Sequence, residues 1–327
     1  MWNEQLKYDA LESLLHSDNK AIQYFTRKEL LGNTDNLTNI NTLPELNNIL
    51  RRQLQDGSWK PKNNTGYPPN NKTLVETFRN LRKLVRNYRL TRINKQIQIA
   101  SEYLFKWQTN EGDLRGFIGD QYAPYYTGEI LAILILAGYE DDQRIIDGLE
   151  WLLSMRQNDG GWTIPMLTHK LDRKVSYKAV TEPWKVYEPI REMPFSHNWT
   201  DMALRAFSVH PRYIHREEVL HAAELLKSRF FQPDAYGSYK DAFHWVTFRF
   251  WWPSIVTSLD SLSRLGYGLE DRDIMVAVDW LVENQQSDGL WKLSYKEGDI
   301  RKDSKKDRER EEWLTLEICR ILKRFNY

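Results

Sequence analysis

The chain has 327 residues, 41% of them hydrophobic, and a formal net charge of +1. This size suffices for one sizeable core, and the charge balance gives no sign of a nucleic-acid partner. The single cysteine, Cys319, excludes an internal disulfide and fits a reducing compartment. The first residues lack a signal-peptide pattern, and the longest apolar run, at residues 130–137, is too short to span a bilayer. We therefore expect a cytoplasmic protein, with peripheral membrane contact left open.

A short motif recurs along the chain: a glutamine, then an acidic residue, then a glycine, with an aromatic residue two positions after the glycine. Clear copies lie at residues 53–59, 157–162 and 286–291, and degraded copies lie at residues 108–112 and 232–239. Their spacing leaves room for two helices and the connecting loops, and repetition on this scale predicts a repeat fold. The glycines are at positions 57, 112, 160, 237 and 289.

Each copy of the motif predicts the end of a helix. Glycine favours a left-handed turn, and the acidic and amide side chains can hydrogen-bond the amides left free there. An apolar helix precedes the motif, as at residues 149–153 and 278–282, and a second apolar segment follows it, as at residues 130–136. We therefore predict an all-α protein with two helices per repeat, in which the tryptophan of each clear copy packs on a neighbouring repeat.

This pattern resembles the QW motif of the terpenoid cyclase and protein prenyltransferase superfamily, and the resemblance covers nearly the whole chain. It is closest to short prokaryotic proteins described as squalene-cyclase-like or prenyltransferase-repeat proteins. The resemblance implies an α/α toroid, or α/α barrel, of about six helical hairpins in a single domain spanning residues 1–327. It also implies a central cavity that binds an apolar, isoprenoid small molecule.

Two segments depart from the repeat. Residues 163–197 form a long connection that contains four prolines. Such a connection is predicted to be an inserted loop or lid over one mouth of the toroid, or a plain surface wrapping. Residues 301–312 are a run of basic and acidic residues, predicted to be a charged, solvated loop before the last helix.

Threonine followed by an acidic residue recurs where the inner helices of the toroid are predicted to begin. One interpretation is helix capping, in which hydroxyl and carboxylate complement the free amides and the helix dipole. The other is a ring of carboxylates around the cavity, where burial could raise the pKa of one of them enough for general acid catalysis. The pairs are Thr73 with Glu76, Thr127 with Glu129, Thr200 with Asp201, and Thr315 with Glu317.

The known reactions of the superfamily need residues that this chain lacks. The DxDD acid motif of class II terpene cyclases is absent, and aligning Ala203 and Leu204 with the residues that follow it leaves only Asp201 in place. Glu317 and Cys319 resemble part of the prenyltransferase zinc site, but no histidine follows them. We therefore predict no metal and no cofactor. Whether the chain is an enzyme stays open, and a non-catalytic binding or scaffold protein is the alternative.

An aromatic block at residues 243–253 could line the cavity and stabilise positive charge, or pack between helices. It could also stack on sugars, as in a carbohydrate-active α/α barrel. His197, four residues before Asp201, is either a polar cavity residue or a loop or cap residue. The predicted catalytic residues are Asp201, His197, Glu129 and Glu76, and the predicted ligand-binding residues are Trp199, Tyr125, Tyr126, Phe248, Trp251 and Trp252.

A basic stripe runs along one predicted helix. Its spacing beside an apolar face is typical of a solvated outer face. It could instead bind an anion, either a diphosphate head group or an acidic lipid surface. The stripe consists of Arg79, Arg82, Lys83, Arg86 and Arg89.

Overall fold

The secondary structure is helical throughout the part of the chain that the computed structural model describes. Two isolated β-bridges occur there, but no strand. The predicted all-α fold class is confirmed. No helix in this part is long and apolar enough to cross a membrane. The described residues are 3–4, 6–33, 39–61, 71–236, 245–246, 248, 252–294 and 304–326.

Thirteen α-helices lie in the described part of the chain. They are α1 (Ala10–Leu15), α2 (Lys20–Phe25), α3 (Pro44–Leu50), α4 (Lys72–Arg86), α5 (Lys95–Phe105), α6 (Pro124–Leu134), α7 (Gln143–Ser154), α8 (Arg173–Thr181), α9 (His197–Ser208), α10 (Glu217–Lys227), α11 (Ile255–Arg264), α12 (Arg272–Glu283) and α13 (Lys305–Arg324).

Two compact units make up the chain. The first lies within Met1–Leu43, Lys227–Pro233 and Ser238–Tyr327, and the second lies within Pro44–Leu226 and Asp234–Gly237. Helices α1, α2 and α11–α13 belong to the first unit, and α3–α9 with nearly all of α10 belong to the second. The single domain and the closed toroid stay predictions.

Polar side chains fix where many of these helices begin. Each of them accepts hydrogen bonds from amide groups in the first turn, which would otherwise have no partner within the helix. The capping residues are Asp9 for α1, Asn19 for α2, Asn94 for α5, Asp142 for α7, Asp172 for α8, Ser196 for α9, Asp271 for α12 and Ser304 for α13.

Helices α6 and α9 of the second unit pack closely against each other. Gly128 of α6 allows this approach, because a Cβ atom there would lie 2.6 Å from the carbonyl oxygen of Met202 and 2.7 Å from Cα of Ala203. Every residue of α9 is buried, including its polar residues. The polar side chains of these two helices must therefore find partners inside the unit.

The tryptophan of each clear motif forms hydrogen bonds to two helices. Its indole N–H donates to a carbonyl oxygen ten residues earlier, at the end of the preceding helix. Its backbone N–H donates to a threonine hydroxyl in a later helix, which is α4, α9 or α13. These second bonds run from Trp59 to Thr77 at 3.1 Å, from Trp162 to Thr200 at 2.9 Å and from Trp291 to Thr315 at 3.1 Å.

These bonds correct the capping interpretation of the recurring threonines. Thr127, Thr200 and Thr315 lie inside α6, α9 and α13, and all three are fully buried. Thr127 accepts from the backbone N–H of Leu114 at 3.2 Å, in the degraded copy that lacks tryptophan. The recurring threonine is therefore an acceptor for the preceding motif, and in α4 this acceptor is Thr77 rather than Thr73.

In the last copy of the motif, a different glutamine from the predicted one makes the structural hydrogen bond. Gln285, not Gln286, donates through Nε2 to the carbonyl oxygen of Gly289 at 2.9 Å. Gln53 and Gln108 make the same bond to the glycine four residues later. The bond needs this four-residue spacing, and Gln286 lies one position too late.

The charged run at residues 301–312 is not a loop over its described part, since α13 begins at Lys305. Ser304 caps the helix by accepting from the backbone N–H of Asp307. Arg308 lies 3.4 Å from Glu312 one turn later. Oppositely charged side chains at this spacing support a helix, which is why the loop prediction was wrong here.

Candidate functional site

A buried ion network joins helices α4, α6 and α9 of the second unit. Glu129 of α6 accepts from Arg86 at 3.0 and 3.1 Å and from Arg205 at 3.0 Å. Arg205 also donates to Asp201 at 2.5 Å. The side chains of Glu129 and Asp201 are fully buried. The structure thus brings two predicted catalytic residues to one arginine.

The network holds these groups in their charged forms. Burial opposes ionisation of Glu129, but the charges of Arg86 and Arg205 outweigh it and hold its pKa below the usual value. Burial likewise opposes the charge of Arg205, but Asp201 and Glu129 outweigh it and raise the pKa of the guanidinium. A proton donor near neutral pH needs a raised carboxyl pKa. Glu129 therefore has the environment of an ion-pair partner, not that of a general acid.

A second buried polar group lies at the start of α9. His197 Nε2 is 3.4 Å from Oδ2 of Asp234. The same oxygen accepts from the Ser196 hydroxyl at 2.7 Å and from the Asn198 side-chain amide at 2.8 Å. Oδ1 of Asp234 accepts from the backbone N–H of Tyr236 at 3.0 Å. This carboxylate therefore closes a turn and caps α9 at the same time.

Asp234 is the buried carboxyl that most nearly meets the requirement for a proton donor. It is 5% exposed, and among the described residues no lysine or arginine pairs with it. Burial raises the pKa of Asp234, although the hydrogen bonds from Ser196 and Asn198 act in the opposite direction. A neighbouring histidine and a raised carboxyl pKa are a combination found at proton-transfer sites.

Aromatic rings gather where α6 and α9 begin. We call Phe78, Phe117, Tyr125, Tyr126 and Trp199 the aromatic cluster. The centroid of Tyr125 lies 4.7 Å from that of Trp199 and 4.6 Å from that of Tyr126. Tyr126 stacks on Phe117 at 4.3 Å and meets Phe78 edge-on at 5.6 Å. Tyr125 is thus in contact with two other predicted ligand-binding residues, Tyr126 and Trp199.

The remaining predicted site residues lie elsewhere. Glu76 accepts from the side chain of Asn80, one turn later on α4, at 3.2 Å. In the first unit, Phe248 stacks on Trp280 with 5.3 Å between ring centroids. Trp252 is half-buried, two residues before the Ser254 that precedes α11. Trp251 lies outside the described residues.

The basic stripe of α4 divides between solvent and interior. Arg79 is 55% exposed in its side chain. Arg86, two turns later, pairs with the buried Glu129. Arg82 is half-buried and lies over the ring of Phe78, 5.5 Å from its centroid. The interpretation of the stripe as a solvated outer face is therefore wrong for Arg86 and holds for Arg79.

The long connection at residues 163–197 contains α8 and is hydrogen-bonded to the loop before α6. The backbone N–H of Tyr187 donates to Gln121 at 3.1 Å. The Tyr122 hydroxyl lies 3.0 Å from a carboxylate oxygen of Glu188. These bonds attach the connection to the second unit, and its role as a lid stays a prediction.

Among the described residues, no group of three or more histidine, cysteine, aspartate and glutamate side chains could hold a metal ion. Cys319 is buried in α13, and burial raises the pKa of its thiol above the usual value. A buried, protonated thiol is a poor metal ligand and a poor nucleophile.

Two residues of the site were not predicted from the sequence. Asp234 belongs to the degraded motif at residues 232–239, where it holds the place of the motif acid. Arg205 lies four residues after Asp201, and this spacing on a helix is a signal for an ion pair. Both signals are present in the sequence, but only the fold shows that these side chains are buried.

No family model matches the chain, and no curated protein sequence matches it. Similar solved structures include a protein from Actinoplanes, at 15% identity over 97% of this chain and 88% of the other, with a TM-score of 0.48. They also include a variant of the type II terpene cyclase MstE from Scytonema in complex with the substrate geranylgeranyl dihydroxybenzoate. That match has 12% identity over 97% of this chain and 98% of the other, with a TM-score of 0.39. Likenesses this weak carry no conclusion about the function of this chain.

Proposed function

We propose that this protein binds an apolar small molecule of the isoprenoid class, within an α/α toroid like that of terpenoid cyclases and prenyltransferases. The observation that supports this most is the aromatic cluster at the start of α6 and α9. Its rings offer an apolar surface that suits an alkene. The negative π face of each aromatic ring also attracts developing positive charge. The isoprenoid class comes from the resemblance of the repeated motif.

The burial of the cluster favours an apolar ligand over a sugar. Tyr125 and Trp199 are each 6% exposed. A carbohydrate site of an α/α barrel would present exposed ring faces to a polar, hydrated ligand. Rings as buried as those of Tyr125 and Trp199 do not present such exposed faces. Tyr126 is half-buried and keeps part of its surface accessible. We place the ligand beside Tyr126.

The charged residues nearby support binding more than acid catalysis. Glu129 and Asp201 are tied to arginines, which stabilises their ionised forms. Protonation of an isolated alkene needs a strong, protonated acid, and the pKa of Glu129 is lowered. In this proposal they fix the relative positions of α6 and α9.

The test is a binding measurement with farnesol as the apolar probe. The tryptophan fluorescence of the wild-type protein should be quenched or shifted on titration with farnesol. Trp199→Ala should weaken the affinity about fivefold or more, since an aromatic face contributes roughly 1 kcal/mol or more. Trp107→Ala is the matched control, because Trp107 is half-buried, lies two residues after the end of α5 and is outside the aromatic cluster. Absence of saturable farnesol binding by the wild type would refute the proposal.

A second candidate function, proton transfer, rests on His197 and Asp234. The raised pKa of the Asp234 carboxyl and its contact with a histidine are what favours it. Nuclear magnetic resonance titration of Asp234 in the wild type, with Asp234→Asn to assign the signal, measures the pKa directly. A value at or below the usual range for aspartate would leave Asp234 as a helix cap alone.

A further inference from the structure

The long connection at residues 163–197 carries a cluster of basic side chains on its surface. Residues 170–185 contain five basic and two acidic residues, a net charge of +3, whereas the whole chain has a formal net charge of +1. Four of the five basic side chains are exposed, and that of Lys178 is half-buried. We call these five residues and the neighbouring Tyr177 the α8 patch. The basic members are Lys170, Arg173, Lys174, Lys178 and Lys185.

The positive charge of the α8 patch is not neutralised by nearby carboxylates. Within the described part of the chain, none of the five basic residues makes an ion pair. Arg144 of the same unit shows the contrast, because its partly exposed side chain pairs with both Glu102 and Asp142. Of the two acidic residues in the segment, Asp172 is engaged in capping α8. The patch therefore attracts anions from outside the chain.

The patch residues of α8 share one side of the helix. Arg173 lies one turn before Tyr177. Lys174 is next to Arg173 and lies one turn before Lys178, so the four side chains form one continuous surface. Residues 179–180, on the other side of α8, are buried. Tyr177 is 62% exposed, so this surface combines basic side chains with an accessible aromatic ring.

Hydrogen bonds hold the patch in place on the second unit. Gln121, in the loop before α6, is buried and donates through Nε2 to the carbonyl oxygens of Ala179 at 3.3 Å and Lys185 at 2.9 Å. Gly119 of the same loop allows this approach, because a Cβ atom there would lie 3.0 Å from the carbonyl oxygen of Val180. The patch is therefore a preformed surface, and a partner does not have to order it on binding.

We propose that the α8 patch docks this protein on a membrane surface that contains anionic lipids. Basic side chains are attracted to such a surface, and tyrosine rings are stable at the level of the lipid head groups. The exposed ring of Tyr177 favours lipid over an acidic protein or a nucleic acid as the source of the negative charge. The inference goes beyond the proposed function and does not require it, because it depends on the charge and exposure of the patch alone.

Docking would also place the proposed ligand site close to a source of ligand. The loop that holds the connection through Gln121 also carries Phe117, which stacks on Tyr126 of the aromatic cluster. Isoprenoids dissolve in the apolar interior of a bilayer. A chain held on the bilayer by the α8 patch therefore meets such a molecule without its passage through water.

The first experiment measures co-sedimentation with lipid vesicles in the absence of any isoprenoid. Wild-type protein at low salt should bind vesicles of phosphatidylcholine with one quarter phosphatidylglycerol about tenfold or more tightly than vesicles of phosphatidylcholine alone. The preference should shrink as salt is added, because salt screens exposed charges. Equal binding to both kinds of vesicle, or a preference that salt does not change, would overturn the proposal.

The matched variants remove the same charge from two places. Arg173→Gln combined with Lys174→Gln should weaken binding to the anionic vesicles about tenfold or more, since each charge near the surface contributes about fivefold. The control combines Lys95→Gln with Lys106→Gln, exposed positions at the start of α5 and just after its end, and should keep most of the affinity. Equal losses in the two double variants would assign the effect to net charge and refute the patch.

A fluorescent label tests the contact directly. Cys319 is buried, so one introduced cysteine can be labelled selectively. An environment-sensitive dye on Tyr177→Cys should shift its emission to shorter wavelength when anionic vesicles are added, and the same dye on Lys106→Cys should not. Vesicle binding without a shift at position 177 would place the contact elsewhere and refute the patch.

The same labelled protein separates lipid from other anionic partners. Polyuridylate and polyglutamate serve as probes for a nucleic acid and an acidic protein. Both should bind at least about tenfold more weakly than the anionic vesicles at equal salt, since neither offers a head-group region for the ring at position 177. If either binds as tightly as the vesicles and shifts the same dye, the patch is a general polyanion surface and the assignment to lipid is wrong.

Discussion

The backbone N–H of Trp162 donates a 2.9 Å hydrogen bond to the side-chain hydroxyl of Thr200, in the second turn of α9. Both residues are fully buried, so no water can replace the threonine. Thr200→Val keeps the shape and removes the acceptor, and an unsatisfied buried N–H costs about 1 to 3 kcal/mol. Urea denaturation should show a loss of this size. Thr181→Val, in the last turn of the partly exposed α8, should change stability by less than about 0.5 kcal/mol.

The indole of Trp162 joins the same motif to the last turn of α7. It is fully buried and donates to the carbonyl oxygen of Leu152 at 2.7 Å. Trp162→Ala should therefore cost roughly 3 to 5 kcal/mol through the cavity it leaves. Trp162→Phe fills most of the space and removes the indole hydrogen bond, while the carbonyl oxygen of Leu152 still accepts from the backbone N–H of Met155 at 3.0 Å, so its cost should be smaller. Thermal unfolding of both variants, followed by circular dichroism, measures the difference. Wild-type stability in the alanine variant would contradict a packing role for the indole.

The helix ends could be predicted from the sequence, because a helix end and its aromatic residue are encoded within a few neighbouring residues: α3, α7 and α12 end just before the three clear motifs. The prediction of two helices per repeat fails between Gly160 and the copy at residues 232–239, where the three helices α8–α10 lie. The roles of Thr127 and Thr200 could not be read in this way. A threonine before an acidic residue has the same local pattern whether it caps a helix or accepts from a distant motif, and only packing distinguishes the two.

The site was less predictable than the fold for the same reason. Tyr125, Tyr126 and Trp199 were expected to bind a ligand because they stand where helices begin, and they are in contact. Asp201 and Glu129 were predicted as acids, but the sequence does not show that Arg205 bonds to both of them in the fold. Burial without a partner and burial with a partner shift a carboxyl pKa in opposite directions, and the sequence does not distinguish these cases.

Arg205 should be the most sensitive position of the ion network. Arg205→Met keeps much of the side-chain volume but removes the guanidinium that donates to both Asp201 and Glu129. Leaving a buried charge uncompensated typically costs about 3 to 5 kcal/mol. Arg216→Met is the control, because its pair with Glu218 is substantially exposed, and it should cost at most about 1 kcal/mol. Equal urea midpoints for the two variants would show that the network adds nothing to stability.

The last prediction concerns pH and His210. Its ring is buried, Nδ1 accepts from the backbone N–H of Arg212 at 3.2 Å, and Nε2 lies 3.0 Å from the carbonyl oxygen of Glu140. This arrangement needs the neutral ring, and burial lowers the pKa of His210 below its usual value. As the pH falls below about 6.5, the unfolded chain therefore binds a proton more tightly than the folded chain does. Stability should decline from pH 7 to pH 5 by up to about 1.4 kcal/mol per pH unit from this group.

Other groups titrate in the same range, so the measurement is the difference between wild type and His210→Gln. Glutamine can donate and accept hydrogen bonds but does not titrate. The stability of the wild type relative to this variant, from urea unfolding at several pH values, should fall steadily as the pH drops from 7 to 5. A difference that stays constant over this interval would mean that the folded protein accommodates the protonated ring, and the buried neutral tautomer would be refuted.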